Sequence, residues 1–256
     1  MSVFNDYSKY YDLFYQGKPY IEEANHVAKL LKEQGIKPNA KLLELGVGTA
    51  KHALQLASLG YEIHGVDFSD TMLQMAQKQL TKASSDIASK ISLHQGDVRK
   101  YRCNDSFDAA YSLFHVMSYQ TTIQDLQASF ETVKKHVHSG GVFIFDCWYG
   151  PAVLAQKPEV RLLQLQNNEI KVERVACPTL NVNDNTVDVH YHLFIQDKQS
   201  DLFKKLEESH KMRYWFLPEI KDLCRTMGMK MLSAKEWMTQ APLSTQTWGA
   251  CFVIQT

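Results

Sequence analysis

An apolar segment that runs into two closely spaced glycines constrains the fold more than any other feature of this 256-residue chain. Residues 41–45 read Lys-Leu-Leu-Glu-Leu, a run typical of a strand buried in a parallel sheet, and Gly46 and Gly48 follow it. Glycine lets the backbone turn tightly against a ligand, and helical spacing resumes after it. A second strand at 62–66 ends at Asp67. The order strand, glycine turn, helix, strand, acid predicts a site for an adenosine-containing cofactor.

Two classes of enzyme use such a turn, the nicotinamide dehydrogenases and the S-adenosylmethionine (SAM) methyltransferases. The dehydrogenase pattern places a Gly or Ala three residues beyond the second glycine, where the helix packs on the strand. That position is Lys51 here, and Glu44 lies two residues before the first glycine, where a carboxylate is able to meet an ammonium group. These residues favour SAM as the cofactor and leave a nicotinamide as the alternative.

Composition narrows the partners and the compartment. The 28 Lys and Arg residues balance the 28 Asp and Glu residues, and no dense basic cluster marks a track for a phosphate backbone, so nucleic-acid substrates are disfavoured. The five cysteines are scattered without a C-x-x-C pair, which fits free thiols in a reducing compartment better than zinc or disulfides. Neither a signal-peptide pattern nor an apolar run of 18 residues is present, so we expect a cytoplasmic protein that does not enter a membrane.

The periodicity of the chain predicts an α/β fold. Strand and helix patterns alternate after the first strand, which implies a Rossmann-like, doubly wound and mostly parallel sheet with helices on both faces. A final pair of strands, at 229–236 and 248–255, would complete a seven-stranded sheet. The other expected strands are 41–45, 62–66, 91–94, 107–112 and 141–146, and the expected helices are 21–34, 70–80, 122–138 and 218–227.

After Pro151 the pattern changes to that of antiparallel strands. Apolar and polar residues alternate at 186–195, similar stretches occur at 169–176 and 206–216, and turn-forming residues fill 181–185. We therefore expect a small antiparallel sheet inserted into the parallel one.

These patterns divide the chain into two parts. A SAM-binding Rossmann-like domain would comprise 1–150 and 217–256, and an inserted β subdomain, 151–216, would cover the acceptor site. Residues 4–20 are rich in tyrosine and phenylalanine, so this segment packs on other parts of the molecule, and we expect it to form an aromatic lid.

Three acids stand at the ends of three successive strands. Glu44, Asp67 and Asp97 would serve the ammonium group, the ribose hydroxyls and the adenine amino group of one ligand, each through a charge-assisted hydrogen bond. Any one of them alone also occurs in ordinary loops at strand ends, so the prediction depends on the three acids together. The further residues expected in the cofactor site are Tyr11, Gly46, Gly48, Phe68, Met72, Val98 and Phe114.

Several stretches of the chain match a family pattern. They are Tyr11-Asp-Leu-Phe-Tyr15, the glycine motif with His52 behind it, Leu93-His-Gln-Gly-Asp-Val-Arg99, Gly140-Gly141 and Trp148-Tyr149. Together they resemble the class I SAM-dependent methyltransferases over about residues 40–147, and most closely the enzymes that dimethylate the amino group of nucleotide-linked deoxysugars. Two positions depart from the family pattern: Ala50 replaces a common third glycine, and Asp146-Cys147 precedes the aromatic pair.

The resemblance implies methyl transfer to a small-molecule acceptor, the amino or hydroxyl group of a nucleotide-linked sugar. Tyr15 resembles a tyrosine that these enzymes place beside the acceptor, and because related enzymes are often dimers a homodimer is one expectation. Two alternatives stay open, a methyltransferase for another small metabolite and a non-catalytic SAM-binding protein. Methyl transfer from a sulfonium requires no metal, and none is expected here.

Candidate groups for proton transfer follow the fourth strand, at the carboxyl edge where acceptors bind in open α/β sheets. His115 is the strongest candidate for a general base because its ordinary pKa near 6.5 suits proton removal at neutral pH, and Tyr119 is a second. In the inserted strands, the histidines fit either part of an acceptor roof or a solvated face of the sheet. Arginines there suit either an acceptor phosphate or surface ion pairs. These residues are His190, His192 and His210, and Arg161, Arg174 and Arg213.

Overall fold

The computed structural model describes residues 8–256, so Phe4 and Tyr7 of the expected lid lie outside the described residues. The described residues form two sheets. The strands are β1 Lys41–Leu45, β2 Glu62–Asp67, β3 Ile91–Gln95, β4 Phe107–Ser112, β5 Val137–Trp148, β6 Arg161–Gln166, β7 Ile170–Asn181, β8 Thr186–Asp197, β9 Phe203–Arg213, β10 Lys230–Glu236 and β11 Gly249–Gln255.

Eight α-helices and one 3₁₀ turn connect the strands of residues 8–256. They are α1 Ser8–Phe14, α2 Tyr20–Glu33, α3 Lys51–Ser58, α4 Asp70–Leu80, α5 Ser85–Ala88, the 3₁₀ turn Val116–Tyr119, α6 Ile123–His136, α7 Gly150–Gln156 and α8 Leu217–Thr226. No helix within these residues combines the length and the apolar character that a membrane crossing needs.

The first sheet has seven strands in the order β10-β11-β5-β4-β1-β2-β3. The pairs from β3 through β5 are parallel, and β11 runs antiparallel to both β5 and β10. This arrangement confirms the predicted Rossmann-like fold with a mostly parallel sheet. The chain order reverses between β1 and β4, and in doubly wound sheets ligands bind at the carboxyl ends of such a strand pair.

Both faces of this sheet are apolar, and that is why helices cover both of them. Leu42 and Leu43 are fully buried neighbours on β1 that point to opposite sides. Leu42 belongs to the cluster that contains Val27 and Leu31 of α2, whereas Leu43 packs in the cluster that contains Phe130 of α6. Successive side chains of one strand thus hold two helical layers together.

The second sheet has four antiparallel strands in the order β6-β7-β8-β9. The sequence predicts three of them, and its turn chemistry at 181–185 is present, since the side-chain oxygen of Asn181 accepts from the backbone N–H of Asn183 at 3.1 Å. Strand β6 is not predicted. Leu162 of β6 is exposed, so the apolar residues of this strand do not all lie on one face. Strand β6 forms because it pairs with β7.

The chain leaves β5 and returns from β9 at the same place. Trp215 donates its backbone N–H to the carbonyl of Trp148 at 2.9 Å, and Gly150 donates to the carbonyl of Trp215 at 2.9 Å. Helix α1 packs on the inserted sheet through Phe14, which is buried against Val172, among others. These contacts place the inserted sheet and α1 over the carboxyl edge of the parallel sheet. The assignment of 151–216 as a subdomain stays a prediction.

Candidate active site

A cavity of about 1090 Å³ opens at the carboxyl edge of the parallel sheet. One wall consists of the segments after β1, β2 and β4, and the other consists of α1, β9 and the tryptophans Trp148 and Trp248. Sites for one small molecule have volumes of about 300–1,000 Å³. This cavity therefore has room for two small molecules side by side.

The glycine turn after β1 forms the floor of one half. Gly46 has φ +85°, and a Cβ there would lie 2.6 Å from Cγ2 of Val116. Gly48 has φ +53°, and its backbone N–H donates to Oδ2 of Asp67 at 2.8 Å. Because both glycines adopt a left-handed backbone conformation, the turn brings main chain rather than side chains to the cavity wall.

Asp67 and the residues after it form the next part of this wall. Oδ1 of Asp67 accepts the backbone N–H of Ser69 at 2.9 Å. Burial raises the pKa of Asp67, although the backbone N–H groups of Ser69, Gly48 and Phe68 act in the opposite direction. Phe68 and Met72 also line the cavity, Phe68 with 63% of its surface exposed and Met72 buried. A half-buried carboxylate that lines the cavity and has lone pairs beyond those that accept from the backbone fits the two hydroxyls of a ribose.

Asp97 lines the cavity beside an arginine. Nε of Arg99 donates to Oδ1 of Asp97 at 2.9 Å, and Nη2 donates to Oδ2 at 2.6 Å, while Nη1 reaches Asp125 at 2.7 Å. The guanidinium of Arg99 lowers the pKa of Asp97. Val98, expected in the cofactor site, is buried in the core cluster and is not part of the wall.

Glu44 lies away from the cavity wall. It is 1% exposed, and the hydroxyl of Tyr111 donates to its Oε2 at 2.8 Å. Burial raises the pKa of Glu44 well above its ordinary value, although the hydrogen bond from Tyr111 lowers it. The structure thus brings Asp67 and Asp97 to the cavity and keeps the third acid in the interior. The expected contact of Glu44 with an ammonium group stays a prediction.

An aromatic group closes the cofactor half from above the turn. Tyr11, Tyr15 and Phe114 all line the cavity, with ring centroids 4.7 Å apart for the two tyrosines and 4.8 Å apart for Tyr15 and Phe114. Nζ of Lys18 lies 4.6 Å from the centre of the Phe114 ring. These rings bring π faces to the place where a positively charged sulfonium would gain from them.

His115 stands on the wall with a carboxylate behind it. Its Nδ1 lies 2.8 Å from Oδ2 of Asp146, a close contact whose angles are not those of an aligned hydrogen bond. The backbone N–H of His115 donates to Oδ1 of the same carboxylate at 3.1 Å. Asp146 is 1% exposed. A carboxylate at Nδ1 favours the tautomer with a proton there, which leaves the Nε2 lone pair as the proton acceptor. Asp146 is not among the site residues predicted from the sequence. The signal for it is present, since it is the one acid in the apolar run 142–148.

Tyr119 lines the same cavity and contacts the inserted sheet. Its hydroxyl lies 2.7 Å from Nδ1 of His210, and Nε2 of His210 lies 2.9 Å from Oε1 of Glu208. His210 is 2% exposed. Of the two readings for His210, acceptor roof or solvated face, its burial and its place in the cavity wall fit the roof. Its contacts with Tyr119 and Glu208 are not predicted, because strand periodicity does not reveal which residue of another element a side chain meets.

The other candidates on the inserted sheet divide between the cavity and the exterior. Arg161 lines the cavity, whereas Arg213 pairs with Glu219 at 2.9 Å and Arg174 stacks on Phe14. Neither Arg174 nor Arg213 is part of the wall. His190 and His192 lie outside the cavity, where they pair with Ser209 and Glu207. Within residues 8–256, His, Cys, Asp and Glu side chains form no group of three or more arranged to hold a metal ion.

Comparison with known proteins decides between the two cofactor classes. A family model described as a methyltransferase domain matches residues 42–141. The dTDP-3-amino-3,4,6-trideoxy-alpha-D-glucopyranose N,N-dimethyltransferase of Streptomyces venezuelae is 29% identical over 188 residues, which are 73% of this chain and 75% of that protein. This chain is a SAM-dependent methyltransferase. The nicotinamide alternative is therefore set aside.

Solved structures show the same fold along the whole methyltransferase chain. An S-adenosylmethionine-dependent methyltransferase from Clostridium acetobutylicum ATCC 824 superposes with a TM-score of 0.80 at 19% identity, over 98% of this chain and 99% of the other. DesVI of Streptomyces venezuelae superposes with a TM-score of 0.79 at 24% identity, over 98% of each chain. The inserted sheet is thus part of a fold that these proteins share.

The residues of the cavity fit SAM, the cofactor of this methyltransferase. The turn at Gly46 and Gly48 gives close access to main chain, the carboxylate of Asp67 suits ribose hydroxyls, and Met72 and Asp97 line the same cavity with an apolar surface and an acceptor that suit an adenine. SAM supplies an activated methyl group. The aromatic group of Tyr11, Tyr15 and Phe114 lines the same cavity as the glycine turn.

Proposed function

We propose that this methyltransferase methylates the amino group of a small nucleotide-linked sugar. The observation that supports the proposal is the second half of the cavity, which lies between the glycine turn and the inserted sheet and is large enough for an acceptor beside SAM. Similarity to N,N-dimethyltransferases that are named for dTDP-amino sugars supports the same acceptor class.

The walls of the acceptor half suit such a molecule. Arg161 and Lys211 bring two cations to the wall, and a guanidinium is able to bind a phosphate through two hydrogen bonds. Trp148, Trp248 and Tyr191 add aromatic surface, which packs against sugar rings and bases. A diphosphate between cations and a sugar against aromatic rings would direct the amino group towards the cofactor half.

The protein has two tasks in this reaction, to align the reactants and to deprotonate the nucleophile. Alignment of the acceptor nitrogen with the methyl group makes the displacement effectively unimolecular. In our proposal His115, oriented by Asp146, takes a proton from the acceptor ammonium so that the nitrogen presents a lone pair. Tyr15 orients the amino group from the aromatic side of the cavity.

The test is an assay of the purified protein with SAM and two matched acceptors, a dTDP-linked 3-amino deoxysugar and the same compound with a hydroxyl in place of the amino group. Mass spectrometry should show addition of one or two methyl groups to the amino compound and a much slower reaction of the hydroxyl compound. Failure of every nucleotide amino sugar, with SAM binding intact and another small metabolite methylated, would overturn the proposal. Failure with every acceptor would indicate a non-catalytic SAM-binding protein.

A further inference from the structure

Three polar side chains form a continuous chain from the acceptor half of the cavity into the inserted sheet. The hydroxyl of Tyr119, on the 3₁₀ turn after β4, lies 2.7 Å from Nδ1 of His210 on β9. Nε2 of the same imidazole lies 2.9 Å from Oε1 of Glu208. A phenol, an imidazole and a carboxylate are therefore joined in sequence across the contact between the two sheets.

We propose that Tyr119, His210 and Glu208 form a relay that takes a proton from the acceptor during methyl transfer. Tyr119 would touch the acceptor as a catalytic residue, and His210 and Glu208 would act through it as positioning residues. The inference rests on the proposed function, since it requires an acceptor that loses a proton.

The proton and electron balance of the step is simple. The lone pair of the amine that His115 has deprotonated forms the new bond to the methyl carbon, and the electrons of the carbon–sulfur bond go to sulfur. One N–H bond of the resulting methylammonium breaks and leaves its electron pair on nitrogen, as that proton passes to the Tyr119 oxygen and the Tyr119 hydroxyl proton passes to Nδ1 of His210. His210 becomes an imidazolium that is paired with Glu208.

The surroundings of the imidazole suit this transfer. His210 is 2% exposed and the Glu208 side chain is 12% exposed, so the charge that forms on His210 meets a carboxylate where water screens little. Burial first, and then Tyr191, Tyr15 and Glu208, raise the pKa of Tyr119 well above its ordinary value. Tyr119 therefore passes a proton onward more readily than it keeps a negative charge.

Other titratable and charged groups also face this site, and they enter any pH dependence. The ring of Tyr191 on β8 lies 5.0 Å from that of His210, edge to face. The groups that face His210 and Tyr119 directly or through one neighbour are Glu208 on β9, Tyr191 on β8, Tyr15 next to α1, and Arg174 on β7, whose guanidinium lies 5.3 Å from the centre of the Tyr191 ring.

The main test compares two histidine variants. His210→Asn keeps a hydrogen-bonding group near Tyr119 but removes the base. His192→Asn is the matched control. His192 also contacts a glutamate between β8 and β9, at 3.2 Å, but it lies outside the cavity. With the amino-sugar acceptor, His210→Asn should lower kcat at neutral pH by about 100-fold, the scale of general base catalysis, and leave KM for SAM unchanged. His192→Asn should keep wild-type values.

The pH profile separates a relay from a merely structural role. The loss in His210→Asn should shrink as the pH rises, because solvent then takes the proton of the methylated nitrogen in place of the relay. A double-mutant cycle adds a second criterion: Tyr119→Phe and His210→Asn together should cost little more than either alone, since both interrupt the same path. A kcat for His210→Asn equal to wild type at every pH would overturn the relay.

A measurement without any acceptor keeps the relay testable if the variants fold poorly or the acceptor is of another class. Nitrogen-15 NMR of histidine-labelled wild-type protein should show His210 neutral at pH 7, with its proton on Nε2 and the lone pair on Nδ1. A protonated Nδ1 at pH 7 would overturn the relay, because the imidazole could not accept a proton. Failure of the wild type to methylate amino sugars, with this tautomer present, would count against the proposed function instead.

Discussion

Asp146 determines what His115 is able to do, although 31 positions of sequence separate the two residues. The backbone of His115 is left-handed, with φ +63°, and its N–H is held by one oxygen of Asp146 while the ring contacts the other. A buried carboxylate that holds both the main chain and the ring orients the imidazole as well as favouring one tautomer.

We expect Asp146→Asn to lower kcat by about 100-fold or more, since the amide favours the wrong tautomer of His115 and no longer stabilises the imidazolium. SAM binding should change little. Steady-state assays with the amino-sugar acceptor measure the effect, and Asp105→Asn, at an exposed loop carboxylate, is the control. An unchanged kcat in Asp146→Asn would contradict the role assigned to the His115 pair.

Asp67 governs cofactor binding at the same scale. Asp67→Ala should weaken SAM binding by about 1.5–3 kcal/mol, the cost of removing a hydrogen bond to a charged group. Calorimetric titration with SAM and with S-adenosylhomocysteine measures it. Asp70→Ala is the matched control, because that carboxylate is exposed near the start of α4 and contacts Gln74. Equal affinities of both variants and wild type would contradict the placement of the ribose at Asp67.

Two elements meet closely where the glycine turn passes the 3₁₀ turn after β4. A side chain at position 46 would collide with the side chain of Val116, and φ +85° is itself unfavourable for an L-residue with a Cβ. The contact between the main chain at Gly46 and the Val116 side chain thus forms part of the floor of the cofactor half.

Gly46→Ala should therefore lower the free energy of unfolding by about 2–4 kcal/mol, from left-handed strain together with overpacking. Chemical denaturation measures it. Gly17→Ala is the control, because a Cβ there would meet no atom within 4 Å. Adding Val116→Ala to Gly46→Ala should recover part of the loss; no recovery would show that the collision contributes nothing.

Most elements could be predicted from the sequence. The strands β1 to β4 match the predictions to within one residue. Strands β1, β2 and β4 are almost entirely buried, as expected of strands covered on both faces, whereas the edge strand β3 is partly exposed. Strand β5 is longer than predicted, Val137–Trp148 against 141–146, since its first residues are polar and exposed. Pairing with neighbours, which no local pattern records, extends β5 and creates β6.

At the scale of the whole molecule, buried neutral histidines couple folding to pH. Burial lowers the pKa of His64 to about 4, and the stacked ring of His94 acts in the same direction, while Asp105 opposes it. In the unfolded chain histidine accepts a proton near pH 6.5. Between these values His64 binds fewer protons in the native state, so its contribution to stability falls as the pH drops from 6.5 towards 4.

This contribution of His64, opposed by the carboxyls of Glu44 and Asp67, whose pKa values burial raises, should be measurable by comparing the urea midpoints of variants and wild type at pH 5 and pH 7. A His64→Asn variant should show a smaller difference between the two pH values than wild type, and His138→Asn, at an exposed position on β5, should show the wild-type difference. Identical differences in wild type and His64→Asn would contradict the assignment to His64.

The fold class, the glycine turn, the class of cofactor and the residues at strand ends all follow from the amino-acid sequence. They can be predicted because local periodicity and residues with special backbone freedom encode these features. The homodimer and the cytoplasmic location stay predictions of this kind.

Tertiary structure, by contrast, set which of these residues come into contact. It brought Asp146 to His115 and His210 to Tyr119, and it withdrew Glu44 from the cavity into a contact with Tyr111. The physical reason is that each pairing joins side chains from different elements. Strand order, register and the return of the inserted sheet over β5 set those distances, and one stretch of sequence contains none of that information.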